Sequence, residues 1–253
     1  LDLLDGGPAL GVRLWPNVGG GEFGAPVALT STPAPMLALA DFDGDGDLDF
    51  LAAGVLPAEL WRNDGSGTFT PGAEVLPADV RALAHADFDR DGDVDVVLAT
   101  PDGLLLLRND GSGTFAVREV VGRVDVTALA AGDVDRDGNQ DLVLGGPGGF
   151  AVWRGDGVGG FMTPALDGRG PVPWFVLHDA DGDGDLDLWR ATLSATVELR
   201  RNDGTGAFDD IALVLFEGAT MSLAAADLDC DGDDDVVTAD GKASGGLRIW
   251  FRR

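Results

Sequence analysis

Short apolar runs separated by acidic, glycine-rich turns recur along the whole 253-residue chain. Met36 to Thr70 is a representative stretch. Met36 to Ala40 reads as a small apolar strand, Leu48 to Ala53 as a second, and Glu59 to Arg62 as a third. The third ends in the turn Asn63-Asp64-Gly65-Ser66-Gly67, and Thr68 to Val75 is predicted as a fourth strand. Asn-Asp-Gly suits a tight reversal because these residues tolerate the positive φ that it demands. The turn returns at Asn109-Asp110-Gly111 and Asn202-Asp203-Gly204, and more loosely at Gly155-Asp156-Gly157. Phe23, Phe69, Phe115, Phe161 and Phe208 follow it, while Trp15, Trp61, Trp153 and Trp250 precede it. Aromatics that keep such register are expected to pack between adjacent repeats.

Between the first and second strands of each repeat lies a loop of the form D-x-D-x-D-G-x-x-D. Its copies start at Asp41, Asp87, Asp133, Asp179 and Asp227, with offsets of 46, 46, 46 and 48 residues. A repeat of that length holds four short strands, and an unbroken array predicts one domain over residues 1–253. Radial repetition of four-stranded antiparallel sheets leaves no long exposed edges, so the predicted fold is an all-β β-propeller. The blade units fall at roughly 1–30, 31–77, 78–123, 124–169, 170–217 and 218–253. Asp2 resembles the last Asp of a sixth loop, and Arg248 to Phe251 matches Arg13 to Pro16. Both terminal blades are therefore expected to be incomplete, with a seven-bladed ring as the alternative to six.

The loops carry the chemistry. Calcium takes six to eight hard oxygen ligands, and side chains at positions 1, 3 and 5 converge when the chain turns around one ion. Gly at position 6 permits the turn, position 7 would offer its carbonyl, and Asp at position 9 would close the sphere. The candidate ligands are Asp41, Asp43, Asp45, Asp47 and Asp49 in the first loop, and Asp87, Asp89, Asp91, Asp93 and Asp95 in the second. The third offers Asp133, Asp135, Asp137, Asn139 and Asp141, and the fourth Asp179, Asp181, Asp183, Asp185 and Asp187. The fifth offers Asp227, Asp229, Asp231, Asp233 and Asp235. About five calcium ions are expected, one per complete loop. An EF-hand begins alike but needs Glu at position 12, where this chain has Ala52, Leu98, Leu144, Arg190 and Thr238. Magnesium is disfavoured because it keeps its waters. The sameness of the loops points to a structural ion.

Charge fits this picture. The formal net charge is -27, and these loops hold more than half of the 44 acidic residues. Only 17 basic residues are present and they form no run, which argues against a nucleic-acid partner or an anionic membrane surface. The single cysteine, Cys230, has no partner for an internal disulfide and no C-x-x-C pattern suggests zinc. No segment approaches the roughly 18 apolar residues of a spanning helix. The chain opens on Leu1 without a basic, apolar leader, which reads as a processed or excised segment.

A few positions break the repeat. Trp174 stands where other units have Met36, Ala82, Ala128 and Ser222, and on a first strand it is placed to line a central channel. Trp189 replaces Leu51, Val97, Val143 and Val237, and His178 replaces Ala40, Ala86, Gly132 and Ala226. His85 and His178 lie beside acidic loops with no nucleophile nearby in the pattern, so no catalytic residue is assigned. Arg62, Arg108, Arg154 and Arg201 precede the turns and are expected to bridge to nearby acidic loops.

Five loops in register, with Phe23-Gly24-Ala25-Pro26 beside them, resemble the FG-GAP/VCBS repeats of integrin-α-like β-propellers. The resemblance covers essentially the whole chain. It implies calcium loops on one face of a propeller in secreted or cell-surface proteins that bind protein or glycan ligands. The expected function is a calcium-stabilised binding or adhesion scaffold that is not an enzyme. A glycan-binding lectin with pockets between blades is the alternative, and a module of a polysaccharide-degrading enzyme is the second.

Overall fold

The computed structural model describes residues 2–7, 10–20, 22–72, 76–122, 124–162, 170–192, 196–209, 213–215, 220–226, 235–240 and 246–250. They form two compact units, Leu1–Asp87 with Asp91–Val124, and Phe88–Arg90 with Asp125–Arg253.

The first unit opens with β1 (Leu3–Gly7), β2 (Leu10–Trp15), the short hairpin β3 (Asn17–Gly19) and β4 (Glu22–Phe23), and β5 (Val27–Ala28). Strands β1, β2 and β5 make an antiparallel sheet in that order. A four-stranded meander follows, β6 (Met36–Ala40), β7 (Asp49–Ala53), β8 (Glu59–Asn63) and β9 (Phe69–Pro71). Its strands agree with the expected ones to within a residue or two, apart from the fourth, whose expected end at residues 73–75 lies outside the described residues. The next sheet repeats it with β10 (Ala82–Ala86), β11 (Asp95–Thr100), β12 (Gly103–Asn109) and β13 (Phe115–Gly122). The first strands β1, β6 and β10 lie side by side.

The second unit continues with β14 (Ala128–Gly132), β15 (Asp141–Gly146) and β16 (Gly149–Trp153). Of that blade's expected fourth strand, the described residues show a single bridge, Gly155 to Phe161. Strands β17 (Trp174–His178), β18 (Asp187–Ala191), β19 (Val197–Arg200) and β20 (Leu213–Leu215) form a four-stranded sheet. Strands β21 (Thr220–Ala226), β22 (Asp235–Asp240) and β23 (Gly246–Trp250) form a three-stranded one. Here too the first strands are neighbours, β14 beside β17 and β17 beside β21.

Burial explains the sequence pattern. Every residue of β7, β11, β15 and β18 is buried, because a second strand has a neighbour on each edge and a sheet or loop over each face. Such strands read as continuous apolar runs rather than alternations. The aromatics fill the seams between sheets. Phe50 is fully buried, stacks on Trp61 at 5.8 Å and meets Phe69 at 5.1 Å, in a cluster with Val12 and Ala34. Phe42 meets Phe115 edge-on at 5.8 Å, and in the second unit Phe88 meets Phe161 at 5.4 Å and Phe150 meets Phe208 at 5.9 Å. Packing between repeats is therefore the role of Trp61, Phe69, Phe115, Phe161 and Phe208, whereas Phe23, expected to share it, is 47 % exposed. Phe50→Ala should destabilise the fold by about 3–5 kcal/mol, read as a lowered urea midpoint at unchanged slope.

Candidate metal centres

Each of the four described loops is held by its own carboxylates before any ion is considered. In the first, Asp41 accepts the N–H groups of Gly44 (2.8 Å) and Gly46 (3.0 Å), and Asp45 accepts that of Asp47 (2.9 Å). The fourth copies this through Asp179 with Gly182 and Gly184, both at 2.9 Å, and Asp183 with Asp185 at 2.9 Å. In the second and third, Asp87 and Asp133 accept Gly92 and Gly138 at 3.0 Å each, and Asp91 and Asp137 accept the residues at position 7.

The Asp at position 9 is different, because it is buried. Asp49, Asp95, Asp141 and Asp187 are at most 1 % exposed. Asp49 accepts Phe42 N at 2.9 Å with one oxygen and Asn63 N at 2.8 Å with the other, which ties the loop's start to the end of the third strand. Asp141 does the same with Val134 and Gly155, and Asp187 with Ala180 and Asn202. Asp95 accepts Asn109 N at 2.9 Å. Burial pushes the carboxyls of Asp49, Asp141 and Asp187 upward, against the downward pull of those N–H donors.

Three ligand oxygens converge within 4.8 Å of one another in each of four loops. The groups are Asp41, Asp43 and Asp45; Asp87, Asp89 and Asp95; Asp133, Asp135 and Asp141; and Asp179, Asp181 and Asp187. Asp43 Oδ1 and Asp87 Oδ1 are buried and accept no hydrogen bond among the described residues. An ionised oxygen left so is costly unless a cation meets it, and a set of hard carboxylate oxygens suits a hard divalent cation. The residues present thus fit a metal ion. In the fifth loop Asp227, Asp229, Asp231 and Asp233 lie outside the described residues, whereas Asp235 is buried like its equivalents.

The side chains at position 7 turn elsewhere. Asp47, Asp93, Asn139 and Asp185 lie against Gly65, Gly111, Gly157 and Gly204 of the following turn, where an added Cβ would come within 2.4–2.8 Å of them. Those glycines have φ of 70–77°, so both space and backbone select Gly.

Three of the four preceding arginines act as expected. Arg62 pairs with Asp43 at 3.7 Å, Arg154 with Asp135 at 3.2 Å and Arg201 with Asp181 at 3.3 Å. Arg62 also donates to the carbonyls of Ser112 and Gly113, and Arg154 to that of Thr205, so each clips its own loop to the next blade's turn. A second set was missed. Arg90 and Arg136, at position 4, hold φ of 63° and 58°, and donate to Gly138 O (2.8 Å) and Asp183 O (2.7 Å). Arg136 also pairs with Asp185. Gly44 and Gly182 at the same position were the available signal that the backbone there is left-handed.

Of the positions that break the repeat, Trp189 is fully buried among Ala180, Val197, Leu199 and Val236. It is a core residue, which removes it as a surface candidate. Trp174 is half-buried on β17, opposite Ala191, and His178 lies opposite Asp187. His85 is exposed on β10, and Trp250 lies on β23. Among the described residues no helix is long and apolar enough to cross a membrane.

Four-stranded antiparallel sheets in series, first strands adjacent and an acidic loop between strands one and two, define a β-propeller with candidate metal sites built into its blades. The FG-GAP-like repeat family matches residues 41–86, 87–144 and 179–238, and the chain belongs to it. No curated protein matches the chain. Among solved structures, an Agrocybe aegerita lectin that recognises non-reducing terminal N-acetylglucosamine is similar at TM-score 0.67 and 23% identity, over 98% of this chain and 76% of the lectin. BBS1N, solved in complex with ARL6DN, is similar at TM-score 0.67 and 12% identity, over 98% and 74%. The computationally designed Ika8 protein is similar at TM-score 0.56 and 17% identity, over 99% and 68%. These likenesses establish the fold.

The raised position-9 carboxyls fix a sign. A folded-state value above the unfolded one near 3.9 means that the metal-free fold binds protons more readily than the unfolded chain. With a chelator present, melting temperature should therefore rise as pH falls from 7 toward the carboxylate range. With divalent metal in excess the ligands must be ionised, and the same titration should lower it. Parallel pH dependence in both conditions would contradict the assignment.

Proposed function

We propose that this chain is a calcium-stabilised binding scaffold of a secreted or cell-surface protein, and that it is not itself a catalyst. One observation carries the reading: four loops spaced by the repeat each bring three carboxylate oxygens within 4.8 Å, two of them with a buried oxygen that takes no hydrogen bond. Calcium suits such oxygen-rich loops better than magnesium, which keeps most of its waters. The ions hold the loops between first and second strands, stiffening the blade ends and leaving other surfaces free to present a ligand site. The FG-GAP-like family and its propeller neighbours, one holding a protein and one recognising a sugar, support binding of a protein or glycan.

The glycan reading has specific support in the likeness to the N-acetylglucosamine lectin over nearly the whole chain. A protein partner remains the broader expectation for an adhesion scaffold.

Calcium at 100 times its dissociation constant adds about 2.7 kcal/mol per independent site, so EDTA should lower the melting temperature markedly and calcium should restore it where magnesium does not. An EDTA melt that superimposes on the calcium melt would remove the structural ion. On a glycan array that includes terminal N-acetylglucosamine, saturable binding of one glycan class supports the lectin alternative, and an array without signal rejects it.

A further inference from the structure

The third and fourth acidic loops both lie in the second unit, and a run of hydrogen bonds joins their carboxylates. Asn202, buried in the turn after β19, gives its backbone N–H to Asp187 of the fourth loop at 2.8 Å. Its side-chain amide donates to Val134 O of the third loop at 2.7 Å and to Leu186 O of the fourth at 3.2 Å. Val134 in turn gives its N–H to Asp141 of the third loop at 3.0 Å. Asp141 and Asp187 thus stand at the two ends of one chain of contacts, and each belongs to a group of three converging carboxylates. Arg154 runs parallel to it, from Asp135 of the third loop at 3.2 Å to Thr205 O in the turn that holds Asn202.

Arg136 differs from these links because its own conformation depends on the contact it makes. It is position 4 of the third loop, with φ of 58°, a left-handed state that disfavours any residue with a Cβ. From there it donates to Asp183 O at 2.7 Å and pairs with Asp185, which are positions 5 and 7 of the fourth loop. Its arm crosses Gly184, where an added Cβ would come within 2.7 Å of Nη2. The next residue, Asp137, gives its N–H to Asp133 and Asp135 at 3.1 and 3.3 Å, so the turn at Arg136 gathers two of the three converging carboxylates. Gly182, at position 4 of the fourth loop, takes a φ of 76° with no Cβ to resist it. The fourth loop therefore closes on its own, whereas the third leans on the fourth.

Given the calcium sites proposed above, we infer that the third and fourth loops bind their ions cooperatively, with Arg136 as the positioning residue that couples them. A fourth loop closed on its ion holds the Asp183 carbonyl and the Asp185 carboxylate in place. Arg136 docks there, its backbone stays left-handed, and Asp133 and Asp135 are kept facing one point. By linkage the third loop returns the effect to the fourth by the same factor, about tenfold.

The test is a double-mutant cycle read at the third loop. Calcium is titrated into the metal-stripped whole chain, and the backbone amide signal of Gly138 reports occupancy of the third loop. Asp181→Asn, isosteric and at an exposed residue, disables the fourth loop. Arg136→Gly installs the residue that Gly44 and Gly182 already are at that position, so the turn is kept. In the native chain Asp181→Asn should weaken calcium at the third loop about tenfold, although residue 181 is no part of it. In the Arg136→Gly chain the same change should leave that affinity within about twofold. A general loss of stability would act alike in both backgrounds, so only coupling through Arg136 separates them. Equal weakening in both backgrounds, or weakening in neither, would overturn the coupling and leave the calcium reading standing. A Gly138 amide that calcium does not move would overturn both.

Discussion

The blade depends on a buried carboxylate. Asp49, Asp141 and Asp187 sit at the first residue of the second strand, out of water, with both oxygens taken by backbone N–H groups from two different places in the chain. One N–H belongs to position 2 of the acidic loop and the other to the end of the third strand. Charge-assisted bonds of this kind contribute about 1.5–3 kcal/mol each, which offsets part of the cost of burying the charge. The same oxygens turn toward the loop's other carboxylates, so a cation at that point would lower the remaining cost. Fold and candidate metal site are therefore one structure. Loss of the carboxylate would free the loop, the strand end and the ligand together.

This coupling explains why so much was legible. The period, the four strands per repeat and the loop are direct consequences of a local device copied at fixed spacing, and each copy confirms the others. Met36–Ala40 and Glu59–Asn63 fall within a residue of the strands expected there, because turn chemistry bounds both. The Phe and Trp positions were legible for a similar reason, since a seam between repeats demands a large apolar side chain in the same register each time.

What sequence did not reveal lies between repeats rather than within them. Asn109 and Asn202 read as turn residues, which they are, but their amides also reach a carbonyl 67 and 68 residues earlier. Nothing local marks that bond. Arg90 and Arg136 drew no expectation from the sequence, yet each occupies a left-handed backbone position that Gly44 and Gly182 fill without strain. The contact to the next loop's carbonyls or carboxylate compensates for that conformation. Trp189 breaks the repeat without leaving the core. It stands where others have Leu or Val, β18 is buried at every position, and the larger side chain is absorbed by Ala180 and Val197 beside it.

The arrangement also separates what is shared among blades from what can vary. Carboxylates, turn asparagines and seam aromatics are committed to each other, so substitution there disturbs the fold first. Arg190 shows how far the variation can go inside that frame. It replaces the Ala, Leu or Thr of the other second strands, is 5 % exposed, and is held by Glu198 on the neighbouring strand at 2.6 Å. A buried pair of this kind gains little over apolar packing and costs several kcal/mol if one partner is lost. Its presence in one blade alone sets that blade's interior apart while its acidic loop remains the same as the others. Differences between individual blades are then superimposed on a repeat whose uniform parts serve stability.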